Sequence, residues 1–276
     1  MRCPVCEGER FHTKAIAGVT IHCCRSCGLR TTPLRERRGT SYADVDVDAY
    51  ERSIGAVRQM QAEEIVAFAR EHGADGEWLD VGCGYGYVLD AARRGGFRIR
   101  GIEPNAIAAA AARAREIDVH HGQLDASTNA ADIVSTLDVL EHLGDLDGFA
   151  RLVKQKARRV WLIKVPSSDG LFFRIAHLLR LRGAIERLWQ TQYEHPHLVY
   201  FDESSLSRFL ARHGFDVVAV RYLHEVSART IVPRLRLVRD MPLWKARSAI
   251  PIAILINLIE RVRRKSDALV VLARVP

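Results

Sequence analysis

The chain has 276 residues, of which 48% are apolar, and its formal net charge is +8 at pH 7. This length predicts one large domain, or one domain with a small appendage, and the apolar share is enough to form a buried core. Because residues 1–4 lead into polar residues and not into an apolar segment, we expect no signal peptide and a cytoplasmic location. The longest apolar stretch, residues 249–259, is too short to span a bilayer. The positive charge fits nucleic acid, anionic lipid or a phosphorylated substrate and does not choose among them.

Five of the six cysteines lie within the first 27 residues. Cys3 and Cys6 form one C-x-x-C pair, and Cys24 and Cys27 form a second pair at the spacing of a zinc ribbon. We therefore predict a ribbon over residues 1–33 in which these four thiolates bind one structural Zn²⁺ and leave no open position. Cys23 could replace Cys24 as a ligand. Unrelated reduced cysteines and a redox pair are the less favoured alternatives.

The segment after the ribbon, residues 34–48, is charged and poor in apolar residues, which predicts a linker. Residues 49–276 then form the main predicted domain. A helix is expected over 50–72, and strands and helices alternate after it, as in an α/β protein with a doubly wound sheet. The expected strands are 78–81, 97–103, 118–121, 133–137, 160–165, 215–222 and 268–273, and the further expected helices are 87–94, 105–116, 146–156 and 203–213.

A glycine-rich turn follows the first of these strands. Asp80 is followed at alternate positions by Gly82, Gly84 and Gly86. Glycine lets the backbone turn sharply and approach a ligand closely, so a strand, this turn and a helix N-terminus predict a nucleotide-binding crevice. Glu103 ends the next strand, where a carboxylate can accept hydrogen bonds from ribose hydroxyls.

This pattern differs from the dinucleotide fingerprint, because the third glycine comes one residue early. It resembles motif I of the class I S-adenosylmethionine-dependent methyltransferases. Residues 137–142, Leu-Asp-Val-Leu-Glu-His, resemble a motif of the ubiquinone-biosynthesis O-methyltransferases, and residues 195–201 resemble a later element of the same proteins. With its cysteine pairs, the chain is similar to zinc-ribbon methyltransferases of surface-polysaccharide and natural-product pathways, including sugar methyltransferases. The resemblance implies a seven-stranded Rossmann-like sheet.

The resemblance also implies roles for individual residues. S-adenosylmethionine would be bound by the turn and by the residues after the next strands: Asp80, Gly82, Gly84, Gly86, Glu103, Gln123, Leu124, Asp125 and Asp138. If the acceptor is a hydroxyl, a general base helps, and we rank His142 first and His197 second. Either histidine could instead serve packing, His142 by bracing the following helix and His197 by packing in the lid.

The implied function is methyl transfer to a hydroxyl of a small molecule such as a sugar, a lipid-linked acceptor or a natural product. The alternative is an RNA base methyltransferase, since ribosomal-RNA enzymes also combine a zinc ribbon with this fold. The ribbon has few basic residues, so nucleic acid is the less favoured partner. A third interpretation, a binding module with a decayed site, conflicts with the intact glycine turn.

Two segments interrupt the alternation. The first, within a lid insertion of about 167–200, is basic and amphipathic over 171–189, and the second covers 242–264. They could be ordinary core-facing helices, a membrane-surface or lipid contact, or a homodimer interface.

Overall fold

The computed structural model describes residues 1–33, 55–225, 231–232, 235 and 241–276. The predicted linker at 34–48 and the start of the helix predicted from residue 50 lie outside the described residues.

The secondary structure follows the predicted alternation. The strands are β1 (Phe11–Ile16), β2 (Val19–Cys24), β3 (Arg30–Thr31), β4 (Glu77–Val81), β5 (Arg98–Glu103), β6 (Val119–His121), β7 (Ala131–Leu137), β8 (Ala157–Pro166), β9 (Val199–Tyr200), β10 (Asp216–Leu223) and β11 (Ala268–Arg274). The helices are α1 (Ala56–Glu71), α2 (Tyr87–Arg94), α3 (Ala106–Arg113), α4 (Leu146–Lys156), α5 (Leu171–Leu178), α6 (Arg182–Leu188), α7 (Glu203–Arg212), α8 (Leu243–Arg247) and α9 (Ile250–Arg263), with a 3₁₀ turn at Leu140–His142.

Seven strands form the main sheet in the order β10-β11-β8-β7-β4-β5-β6. The strands from β8 to β6 are parallel, whereas β11 is antiparallel to both β8 and β10. The central strands read as continuous apolar runs because helices cover both faces of the sheet. Residues 269–273 of β11 are fully buried. The doubly wound seven-stranded fold predicted from the sequence is confirmed.

The N-terminal ribbon is built into the rest of the molecule. A second sheet has the order β1-β2-β3-β9, and β9 belongs to the lid insertion far along the chain. Apolar side chains of the β1–β2 hairpin share a core with the lid: Ile16, Val19, Ile21, Phe173, Ile185, Trp189 and Tyr200. Arg30 donates to Ser168 Oγ at 2.5 Å. The ribbon therefore supports the lid from outside.

The amphipathic segment 171–189 of the lid forms two helices. It breaks into α5 and α6 at residues 179–181, where Arg180 has φ +52°. A left-handed residue ends an α-helix, so the chain turns back on itself. The turn lets Ile185 and Trp189 pack on Phe173, which a straight helix would not allow.

The second insertion forms α8 and α9. Within the described part of the chain, no helix is long and apolar enough to cross a membrane.

Candidate functional site

The glycine turn follows β4 at the carboxyl edge of the main sheet. Gly82, Gly84 and Gly86 have φ values of +75°, +52° and +79°, a region that side chains with a Cβ rarely adopt. A Cβ on Gly82 would lie 2.7 Å from Val139 Cγ2, and one on Gly86 would lie 2.4 Å from Ile117 Cδ1. Around Gly84, a Cβ would meet nothing within 4 Å. Two glycines thus allow close internal packing, while the middle one borders open space.

Glu103 links the end of β5 to this turn. Its Oε2 accepts from the Gly84 N–H at 2.7 Å, and its Oε1 accepts from the Asn105 N–H at 2.8 Å. Asn105 in turn caps α3, accepting from two backbone N–H groups. Burial raises the pKa of Glu103, and the two backbone N–H groups partly offset that rise. Each carboxylate oxygen keeps a lone pair for a ligand hydroxyl.

Asp80 lies beneath the turn and is only 2% exposed. Its Oδ1 accepts from Ser135 Oγ at 2.5 Å, and Ser135 Oγ accepts from Trp78 Nε1 at 2.7 Å. Burial raises the pKa of Asp80 to about 7, although the Ser135 hydrogen bond opposes the shift. Because it is enclosed, Asp80 can act on a ligand only through the turn above it.

Asp138 follows β7 at φ +58°, at the same sheet edge. Lys164 Nζ lies 2.8 Å from both of its carboxylate oxygens, and Arg58 Nη1 lies 2.8 Å from Oδ2. Glu225 completes the group, 3.0 Å from Lys164. Burial alone would raise the pKa of Asp138, but Lys164 and Arg58 outweigh it and hold that pKa below its ordinary value. The carboxylate is therefore ionised and already paired.

Sequence reasoning missed Arg58, Lys164 and Glu225. Lys164 gave one signal, because it is the single charged residue in the apolar run 160–165 of β8. A lysine in a buried strand needs a carboxylate partner. Its two partners come from distant parts of the chain, and the sequence alone could not identify them.

The two candidate bases, His142 and His197, lie next to each other and close to the group formed by Asp138 and Lys164. The His142 and His197 rings are 4.8 Å apart between centroids, in an edge-on arrangement. His142 Nδ1 lies 3.1 Å from the Pro196 carbonyl oxygen, and His197 Nδ1 lies 3.2 Å from the Tyr200 hydroxyl, which donates to the Leu188 carbonyl. Nδ1 must therefore carry the proton in both rings, which leaves each Nε2 as an acceptor.

Burial lowers the pKa of both histidines, that of His197 to about 3, so both rings are neutral at neutral pH. Glu141 is buried beside them, and its Oε2 has no hydrogen-bond partner among the described residues. Burial, reinforced by the charge of Asp138, raises the pKa of Glu141 well above its ordinary value. Donor atoms of Glu141, His142 and His197 lie within 4.8 Å of one another, close enough to approach one cation.

The expected adenine-binding segment follows β6. Leu124 is buried, whereas Gln123 and Asp125 are exposed. Asp125 Oδ1 accepts from the N–H groups of Ser127 and Thr128, which hold the loop in a turn. The Gly122 N–H donates to the Glu103 carbonyl at 3.1 Å, so this loop starts beside Glu103.

The ribbon cysteines form a second cluster, remote from the turn in sequence. Cys3 Sγ and Cys27 Sγ are 3.5 Å apart, as are Cys6 Sγ and Cys24 Sγ, and all four sulfurs lie within 4.8 Å of one another. This set fits a tetrahedral zinc site. The Cys23 thiol instead faces the carbonyls of Cys24 and Gly28.

Three features together define a class I S-adenosylmethionine-dependent methyltransferase. They are the strand order of the main sheet, the glycine turn after β4, and Glu103 at the end of β5. A family model described as a methyltransferase domain matches residues 55–220, so the chain belongs to that family. None of the curated proteins matches the chain by sequence.

Solved structures show the same fold at low sequence identity. Magnesium protoporphyrin IX methyltransferase from Synechocystis, with bound S-adenosylhomocysteine, is 14% identical with a TM-score of 0.55, covering 85% of this chain and 91% of that one. A cyclopropane synthase from Mycobacterium tuberculosis is 13% identical with a TM-score of 0.57, covering 84% and 94%. A methyltransferase from Archaeoglobus fulgidus is 16% identical with a TM-score of 0.54, covering 83% and 100%.

Proposed function

We propose that this enzyme transfers a methyl group from S-adenosylmethionine to a hydroxyl of a small-molecule acceptor, such as a sugar, a lipid-linked compound or a natural product. The observation that carries the proposal is the pair of neutral histidines, His142 and His197, at the sheet edge that carries the glycine turn.

The cofactor would lie over the glycine turn. The Gly84 position leaves space for the methionine and ribose part, and Glu103 would accept hydrogen bonds from the ribose hydroxyls. Asp80 would stabilise the bound methionine ammonium indirectly, through the backbone of the turn. Asp138 would add negative charge at the same edge of the sheet. The adenine would lie against Leu124, between Gln123 and Asp125.

His142 would then accept the proton of the acceptor hydroxyl, because a pKa of about 3 makes His197 a weak base. Methyl transfer is an in-line displacement at a carbon that is already activated, so holding both reactants in line supplies much of the rate. A hydroxyl nucleophile must also lose its proton, and a neutral imidazole with an unprotonated Nε2 can accept it. His142 is the better candidate because it is the less enclosed of the two.

An activity experiment can test the acceptor class. The enzyme is incubated with methyl-labelled S-adenosylmethionine and a cell extract, and label is measured in the RNA fraction and in the organic and small-molecule fractions. We expect the label outside RNA. Label confined to RNA would overturn the proposal and support the RNA alternative.

A variant pair can test the base. We expect His142→Gln to lose at least tenfold in turnover while its affinity for S-adenosylhomocysteine stays near that of the wild type. His12→Gln, on the exposed surface of the ribbon, is the matched control and should keep full turnover. Equal turnover in both variants would remove His142 from the mechanism.

We also propose that the four ribbon cysteines bind one Zn²⁺ in a structural role. Four thiolates complete its coordination shell, so no position would remain for a substrate. Metal analysis should give one zinc per chain. The Cys27→Ser variant should lose the metal, and Cys23→Ser should keep it; equal zinc in both variants would contradict the assignment.

A further inference from the structure

Helix α9 exposes its apolar residues and buries its small and acidic ones. Its fully buried positions are Ala253 and Glu260, seven residues apart on one face. The outward residues are large and apolar: Ile252, Ile254, Leu255, Leu258, Ile259 and Val262. Val262 is 77% exposed. A surface helix of a globular protein normally has the reverse pattern, and an exposed apolar area of this kind marks an interaction surface.

A second exposed apolar group lies on the lid, around the break between α5 and α6. Its members are Phe172, Ile175, Leu178, Leu179 and Leu181, of which Leu178 is 80% exposed. The two groups belong to neighbouring parts of the structure, because the Phe172 N–H donates to Asp267 Oδ1 and Arg263 donates to the Asp169 carbonyl. We call the two groups together the apolar face.

Basic residues flank the α9 part of the apolar face on both sides in the sequence. Residues 243–264 contain five cations, Lys245, Arg247, Arg261, Arg263 and Arg264, and one acid. That acid, Glu260, is buried, and its Oε2 accepts from Ser266 Oγ at 2.8 Å and lies 2.6 Å from His224 Nδ1. Trp244, 74% exposed, precedes α9. Apolar residues with a basic border and a tryptophan are the composition of helices that lie in the interface of a membrane.

We propose that the apolar face docks onto the surface of an anionic lipid bilayer, with α9 lying in the plane of the membrane. The charge pattern favours this partner over a second copy of the chain. A two-fold interface places the same surface patch on both subunits, so the basic border would face its own copy and repel it. An anionic bilayer instead attracts every member of that border.

The position of the face also relates it to the methyltransferase site. Ala268, just after the α9 segment, pairs with Pro166 at the carboxyl end of β8, directly before the lid. Both apolar groups thus belong to segments that meet the sheet edge carrying the glycine turn. Docking would bring that edge to the lipid surface. The idea that the acceptor itself is attached to a lipid rests on the proposed function. The docking of the apolar face on a membrane does not depend on that function.

The test is co-sedimentation with vesicles in the absence of cofactor and acceptor. The full-length protein is mixed with vesicles of phosphatidylcholine alone and with vesicles containing phosphatidylglycerol. We expect strong binding only to the anionic vesicles. Leu255→Glu combined with Leu258→Glu should abolish it, and Arg261→Gln combined with Arg264→Gln should lower it about 25-fold, since each cation contributes roughly fivefold.

Val218→Glu is the matched control, because Val218 is an exposed apolar residue on β10 that belongs to neither apolar group. It should bind vesicles like the wild type. Thermal unfolding and S-adenosylhomocysteine binding verify that all variants are folded. No binding of the wild type to anionic vesicles would overturn the proposal. If vesicle binding is absent and light scattering instead shows a concentration-dependent dimer that Leu255→Glu disrupts, the apolar face is a dimer interface and the proposal is also overturned. Neither result would affect the methyl-transfer proposal.

Discussion

Replacing Gly84 by alanine separates the cofactor role of the turn from its role in folding. Gly84 has φ +52°, and a Cβ there would meet nothing within 4 Å. The fold itself therefore loses only the backbone preference of glycine, about 1 kcal/mol. Gly18, in the β1–β2 turn of the ribbon, has φ +78° and equally open surroundings. Gly18→Ala is thus a control with matched strain and no cofactor nearby.

The two variants should differ only in cofactor binding. Both should lose about 1 kcal/mol of unfolding free energy in denaturant titrations. In calorimetry with S-adenosylhomocysteine, Gly84→Ala should bind about tenfold to a hundredfold more weakly, because an added methyl in a close contact costs about 1–3 kcal/mol. Gly18→Ala should bind like the wild type. Wild-type affinity in Gly84→Ala would refute the assignment of the open space to the cofactor.

Three further predictions concern buried charges near the site. Glu103→Ala should weaken S-adenosylhomocysteine binding at least tenfold in calorimetry, since it removes the proposed hydrogen-bond acceptor for the ribose and leaves the Gly84 N–H unpaired; unchanged affinity would contradict the assignment. The raised pKa of Asp80 means that the folded state holds its proton at pH values where the unfolded chain has lost it. Stability should therefore fall by about 2 kcal/mol between pH 5 and 7, and Asp80→Asn should flatten that slope in denaturant titrations; equal slopes would exclude Asp80 as the cause. Lys164→Met should cost about 3–5 kcal/mol, because it leaves the carboxylates of Asp138 and Glu225 without their buried cation. A loss below 1 kcal/mol would show that Arg58 compensates.

The main sheet could be predicted because its signals are local. Each strand is a short apolar run bounded by turn residues, and the helix at 146–156 matches the pattern residue for residue. The glycine turn and Glu103 also stand out, since their spacing follows from the shape of one strand–turn–helix unit.

The features that the sequence did not predict depend on contacts between distant segments. The strand β9 has two residues, and only its pairing with β3 makes it a strand. The break at Arg180 was hidden because apolar residues continue at helical intervals across it. The same periodicity allowed α9 to face either the core or the exterior, and only the buried positions of Ala253 and Glu260 decide between them.

The pairing of β3 with β9 has a consequence for how the enzyme matures. During synthesis the first 33 residues emerge long before their partner at 199–200, so the small sheet must wait for most of the polypeptide to be made. Until then the cysteine hairpin has an open edge and an uncovered apolar side. A variant that lacks residues 1–33 would accordingly lose the strands that pack against its lid together with the four-cysteine cluster.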